Sequence, residues 1–172
     1  MIDRRGAIRR IAFALAAGPL GAAAPLASAR AQQSFQQYVP FLIDLSGWTG
    51  NQPDGMAMAM PGASIVTASR EYRRGDARIT VQVVTGPAAQ GALGVTRSEM
   101  KLETADMHVS ASSIDGLQVA RTFTVKDKAG AVIVALGPAA MFTLTFNGVA
   151  EDEALTLARQ FDWKGIQAAA PK

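Results

Sequence analysis

The stretch SIVTASREYRRGDARITVQVV, residues 64–84, constrains this chain more than any other. Apolar and polar residues alternate on both sides of a single glycine, a period that a strand presents to one core face and a helix does not. The pattern predicts a β-hairpin. With Arg74 and Gly75 as the two-residue loop, Tyr72 faces Ala77, Arg70 faces Ile79, Ala68 faces Val81 and Val66 faces Val83. These residues share one side of the hairpin, and all but Arg70 are apolar or aromatic. The other side holds Thr67, Ser69, Glu71, Arg78, Thr80 and Gln82, with Glu71 directly across from Arg78 as a favourable charge pair.

Further strand signals follow. HVSASSI turns at Asp115–Gly116 into LQVARTFTV, and AVIVAL and MFTLTFNG succeed it after the loops KDKAG and GPAA. AVIVAL is apolar at every position, as in a central strand covered on both faces. Three helices are expected. SFQQYVPFLIDLSGW carries Ser34 and Gln37 at capping-box spacing, and Phe41, Leu42 and Leu45 on one side. Thr96 and Glu99 repeat that spacing ahead of a helix from Arg97. EDEALTLARQFDWKGI opens with acidic residues that suit a helix N-terminus and buries Leu157, Ala158 and Phe161. GPAAQGALGV reads as a small-residue connection. The fold class is therefore α+β. An antiparallel sheet of about five to seven strands, in hairpins and a meander, is covered by an N-terminal and a C-terminal helix, with one more helix possible between.

The first residues, MIDRRGAIRRIAFALAAGPLGAAAPLASARAQ, form a different region. Arginines, an apolar stretch and small residues at ASA and ARA follow one another as in a cleavable export signal. RRGAIR resembles the twin-arginine export signal, with Ile8 and Arg9 in its apolar and basic positions; the resemblance covers the signal alone and implies export of a folded protein. Ordinary export of the unfolded chain stands beside it. Cleavage falls after Ala31, or alternatively after Ala29. The division is thus a signal over 1–31, one domain over 32–166 and a flexible tail over 167–172. The location is periplasmic or secreted, with no permanent membrane span once the signal is gone.

Composition matters here through charge and chemistry. Of 17 basic and 14 acidic residues, the signal takes five arginines and Asp3. The mature domain carries 12 of one and 13 of the other, so the net basic field that nucleic-acid binding requires is absent. There is no cysteine, which removes disulfides, thiolate metal sites, thiol nucleophiles and lipid attachment at a cysteine. His108 is the only histidine, and neither a Ser–His–Asp pattern nor a phosphate loop surrounds it.

Two groups are candidates for function, and a third cluster is set aside. Arg70, Arg73, Arg74 and Arg78 make the hairpin tip basic, suited to a phosphate, a carboxylate or an acidic partner; Trp48 stands as a companion contact residue. Met56, Met58 and Met60 in GMAMAMPG alternate on one strand face, and soft thioethers suit Cu(I), with Met107 and His108 as further ligands. The same alternation describes a half-buried edge strand whose methionines fill a gap under a helix, and packing is the expected role, with Cu(I) as the alternative. Glu151, Asp152 and Glu153 point in different directions on a helix and do not form an acid–base pair. The expected function is that of an exported, non-catalytic binding or accessory protein with no resident cofactor, whose partner is another envelope protein or a small ligand. The alternatives are a Cu(I) carrier built on the methionine strand and an enzyme whose site is assembled from distant loops.

Overall fold

The computed structural model describes residues 35–60, 63–96 and 99–170. The segment expected to be an export signal, residues 1–31, lies outside them. The described chain is broadly α+β, dominated by one antiparallel sheet of nine strands, more than the five to seven expected. They are β1 (Thr49–Gly50), β2 (Asp54–Met60), β3 (Ala63–Arg74), β4 (Ala77–Thr85), β5 (Met100–Glu103), β6 (Met107–Ile114), β7 (Leu117–Thr124), β8 (Ala129–Gly137) and β9 (Ala140–Asn147). The spatial order is β1-β3-β4-β9-β8-β7-β6-β5, and β2 pairs with β3 along the same edge as β1. The chain lays down one hairpin unit, crosses to the far edge through α1 (Pro87–Ala92) and a 3-10 turn (Leu93–Thr96), then meanders back until β9 meets β4. Gly86, at φ +92, starts that crossing; a Cβ there would stand 2.1 Å from the Ser64 carbonyl oxygen.

The hairpin forms as expected, with a corrected turn. Gly75 and Asp76 make the loop, so Arg74 opposes Ala77, Tyr72 opposes Ile79 and Ala68 opposes Val83. Gly75, at φ +60, takes the first turn position, where a positive φ suits the strand twist. The register moves by two residues, which keeps every side chain on its expected face and changes only its cross-strand neighbour. Glu71 therefore faces Thr80, and Arg78 faces Arg73. Val66, Ala68, Tyr72, Ala77, Ile79, Val81 and Val83 are all buried.

Two helices differ from expectation. The N-terminal one does not continue past Gln36; the segment then makes only a 3-10 turn at Val39–Phe41. Pro40 lacks the N–H that an α-helix needs there. Tyr38, Leu42, Leu45 and Trp48 are nonetheless buried against the sheet. Ser34, the expected cap, lies outside the described residues. Where a helix was expected from Arg97, β5 forms instead. Met100 and Leu102 alternate with Lys101 and Glu103, and that period of two outweighs a capping motif. The small-residue connection supplies the helix α1.

The C-terminal segment forms two helices, α2 (Glu151–Ala158) and α3 (Trp163–Ala169), the second running beyond residue 166. The Asp162 side chain accepts the Gly165 N–H at 2.9 Å and starts α3 anew. Both helices pack on β8, and α2 also on β9. Phe142, fully buried, meets Phe161 and Trp163 with ring centres at 5.2 and 6.2 Å. This is the front face. On the back face the α1 crossing runs near Val84, Ala111 and Ala120, which are buried on the opposite side from the core. β8 is central as expected, with Val132, Val134 and Leu136 buried, yet its back-face residues Ile133 and Ala135 are only half-covered.

Candidate functional site

On the front face, beyond the N-terminus of α2, the sheet is left open over β5, β6 and β7. A cleft of about 530 Å³ lies there. Alternation along the strands points His108, Ser110 and Ser112 of β6 into it, with Lys101 and Glu103 of β5 and Arg121 of β7. Glu151, the first residue of α2, closes one side.

These groups bond to one another. His108 Nδ1 lies 2.9 Å from Glu151 Oε2. A carboxylate only accepts, so Nδ1 is the donor in this contact. Arg121 Nε donates to Ser110 Oγ at 3.1 Å, and its Nη1 stands 4.0 Å from the other Glu151 oxygen. Lys101 Nζ reaches Glu103 at 2.9 Å along the strand, and that hydrogen bond, then the lysine charge, lowers the Glu103 pKa. The imidazole leans on Phe123, which stacks on Phe146, so the polar groups rest on an aromatic base. The side chains of His108, Arg121 and Glu151 are 36%, 24% and 25% exposed, which leaves them reachable from solvent and held in place. The cleft thus offers donors and acceptors, of both charges, to a small polar solute.

The arginines of the hairpin tip do not converge. Arg70, on the core face, donates from Nη1 to the Leu42 carbonyl at 2.7 Å and from Nε to the Asn51 carbonyl at 2.8 Å, and pairs with Asp44. It ties the N-terminal segment to the sheet. Arg74, on the same face, covers the Trp48 ring at 4.3 Å and reaches Glu153 at 2.6 Å. Arg73 and Arg78 point to the back face, directly opposite one another and exposed. Trp48 is buried under Arg74.

Met56 and Met58 share one face of edge strand β2, 58% and 49% exposed. The Met60 side chain lies outside the described part. Met107 and His108 sit on β6, six strand spacings away, roughly 29 Å at ~4.8 Å per spacing, and on opposite faces of their own strand. One metal ion does not join them to β2. Among the described residues, no three His, Cys, Asp or Glu side chains stand together as a metal site. Nor is any described helix long and apolar enough to cross a membrane.

Arg121 and Glu151 were not among the sequence candidates. Arg121 carried a signal nonetheless, because it is a charge on the core-facing parity of LQVARTFTV, as Arg70 is in its own strand. Glu151 was legible only as a helix-dipole acid. A second recess, of about 420 Å³ beside the β6–β7 turn, holds the exposed pair Arg159–Asp115 at 3.2 Å. No family model, curated protein or solved structure matches this chain.

Proposed function

We propose that this chain is an exported, non-catalytic binding module of the cell envelope, and that its ligand is a small polar solute held in the cleft over β5–β7. The observation that carries this reading is the convergence of His108, Ser110, Arg121 and Glu151, from three separate elements, on one recess. Arg121 suits a carboxylate or another oxygen acceptor, and the acidic rim at Glu103 suits an ammonium or hydroxyl donor. A solute with both kinds of group, such as an amino acid, short peptide or sugar acid, fits that pattern. Calorimetric titration with a panel of such solutes tests it. Saturable binding is expected, and Arg121→Met should abolish it without lowering the melting temperature by more than a few degrees. Binding that survives Arg121→Met and His108→Ala together places the ligand elsewhere. Export is tested by the intact mass of the protein from the envelope fraction, expected to lack residues 1–31 or 1–29.

A second reading, periplasmic Cu(I) carriage, is favoured by one observation. Met56 and Met58 are about half exposed on an edge strand instead of filling a core gap, which suits thioether ligation. Competition titration with a Cu(I) chelator, wild type against Met56→Leu/Met58→Leu, decides it: equal affinity for both leaves the methionines without a metal role.

A further inference from the structure

The sheet ends in β5, whose outer edge pairs with no described strand and whose four residues are all exposed. The Thr104 N–H donates to the Met107 carbonyl at 2.9 Å, which makes these two a hydrogen-bonded pair at the end of the β5–β6 ladder. Bonding direction alternates along an antiparallel strand. Met100 and Leu102 therefore bond inward to β6, while Lys101 and Glu103 turn their N–H and C=O groups outward. Their side chains lie on the front face beside the cleft; Met100 and Leu102, each 46% exposed, lie on the back face with Met107, 40% exposed.

We propose that this edge pairs antiparallel with β5 of a second copy of the chain, about a two-fold axis through Leu102 perpendicular to the sheet. Charge selects the occupant and the register. Under such an axis a residue keeps its face only if it meets one of the same parity. Centring on Lys101 sets lysine against lysine, and centring on Glu103 sets glutamate against glutamate. Centring on Leu102 sets Lys101 against the partner's Glu103 and Glu103 against the partner's Lys101, while Leu102 meets the partner's Leu102 on the back. The residues that then face one another are those with outward-pointing backbone groups, giving about four new hydrogen bonds. At the opposite end of the sheet, β2 carries only Met, Ala and Gly after Asp54, so it offers no charge pattern that selects a register. Contact along four residues is below the size of a permanent dimer, so the association is concentration-dependent. It joins the two clefts edge to edge, and the partner's Lys101 and Glu103 become part of each rim.

Sedimentation equilibrium of the mature protein tests this with charge swaps at side chains that are 71% and 58% exposed. Wild type should show a monomer–dimer equilibrium. Lys101→Glu and Glu103→Lys should each weaken it about tenfold by setting like charges opposite one another. An equimolar mixture of the two single variants should form a heterodimer, and the double swap should restore the homodimer. Unchanged circular dichroism and melting establish that each variant folds. A wild type that stays monomeric up to millimolar concentration overturns the proposal. So does a dimer that ignores Lys101→Glu and is lost on Met58→Lys, which would make β2 the interface.

Discussion

The two ends of the sheet treat an arginine on the core-facing side in opposite ways. At the β3–β4 end, Arg70 is covered by residues 42–51 and spends its donors on the carbonyls of Leu42 and Asn51. At the β6–β7 end, Arg121 meets one serine hydroxyl and a distant carboxylate, and the space above it is open. The residue type and the strand parity are the same. What differs is the cover: an extended N-terminal segment packs over one end, while α2 stops short of the other. A charged group becomes a structural tie where backbone acceptors close around it and keeps donors available to solvent where they do not.

The largest effect expected from this contrast lies in the core that both ends share. Val81, fully buried, faces Arg70 across the strand with Ala68 and Tyr72 diagonal to it, and the Arg70 donors are already taken by the Leu42 and Asn51 carbonyls and Asp44, so a carboxylate there gains no free partner. Val81→Asp should cost about 3–5 kcal/mol, the usual penalty of an unpaired buried charge, and unfold much of the population. Thr80→Asp, one residue away on the back face, should change stability by roughly 0.5 kcal/mol, from repulsion by Glu71 across the strand. Chemical denaturation of both variants checks the facing; equal losses would break it.

At the covered end, Arg70→Met should cost about 2–3 kcal/mol, because the Leu42 and Asn51 carbonyls lose charged donors. The Asp44 pairing contributes little of this, since that carboxylate is 89% exposed. Arg73→Met, on the back face, should fall within about 0.5 kcal/mol of wild type. Comparable losses for the two would mean that residues 42–51 are held by apolar packing alone.

Tyr72 sharpens the same contrast through pH. Its hydroxyl donates to the Ile43 carbonyl at 2.7 Å, and burial pushes its pKa from 10.0 up to about 12. A raised folded-state pKa means that the unfolded chain releases the proton first. The contribution is full below pH 10 and is lost as pH rises from 10 to about 12. Tyr72→Phe should cost about 1 kcal/mol at neutral pH for the lost hydrogen bond and should flatten the decline in stability over that alkaline window. Tyr38, also raised by burial, leaves a residual slope. Urea melts at pH 7, 10 and 11 measure both effects.

The sheet was legible in the sequence wherever alternation ran long. The faces of β3 and β4, the turn at Asp115–Gly116 and the central place of β8 all follow from local pattern and turn chemistry. The exact turn at Gly75–Asp76 was not legible, because shifting the pairing by two residues leaves every buried side chain buried. β5 was missed because four residues of alternation are a short signal beside the capping spacing of Thr96 and Glu99. The cleft was hidden for a different reason. His108, Arg121 and Glu151 come together only through the return of the meander and the docking of α2, and spacing along the chain does not encode that juxtaposition. The part that was visible is the anomaly of Arg70 and Arg121, charges placed where the strand parity calls for an apolar residue. Whether such an arginine ties or recognises depends on the cover above it, which is a tertiary property.

The smallest expected effect bears most directly on that distinction. Ser110→Ala removes the hydroxyl that accepts from Arg121 Nε. If the cleft is open to solvent, water takes over the serine's role, because a guanidinium that is 24% exposed keeps access to it. The loss of stability should then be about 0.5 kcal/mol or less, several-fold below that for Arg70→Met. Binding of a polar solute should respond more strongly, because the serine fixes the angle at which the guanidinium faces the recess and a freed side chain loses rotamer entropy when it binds. A stability loss above about 2 kcal/mol would show instead that Arg121, Ser110 and Glu151 hold α2 against the sheet, as Arg70 holds residues 42–51. In that case both ends of the sheet are ties, and the binding reading of the cleft loses its basis.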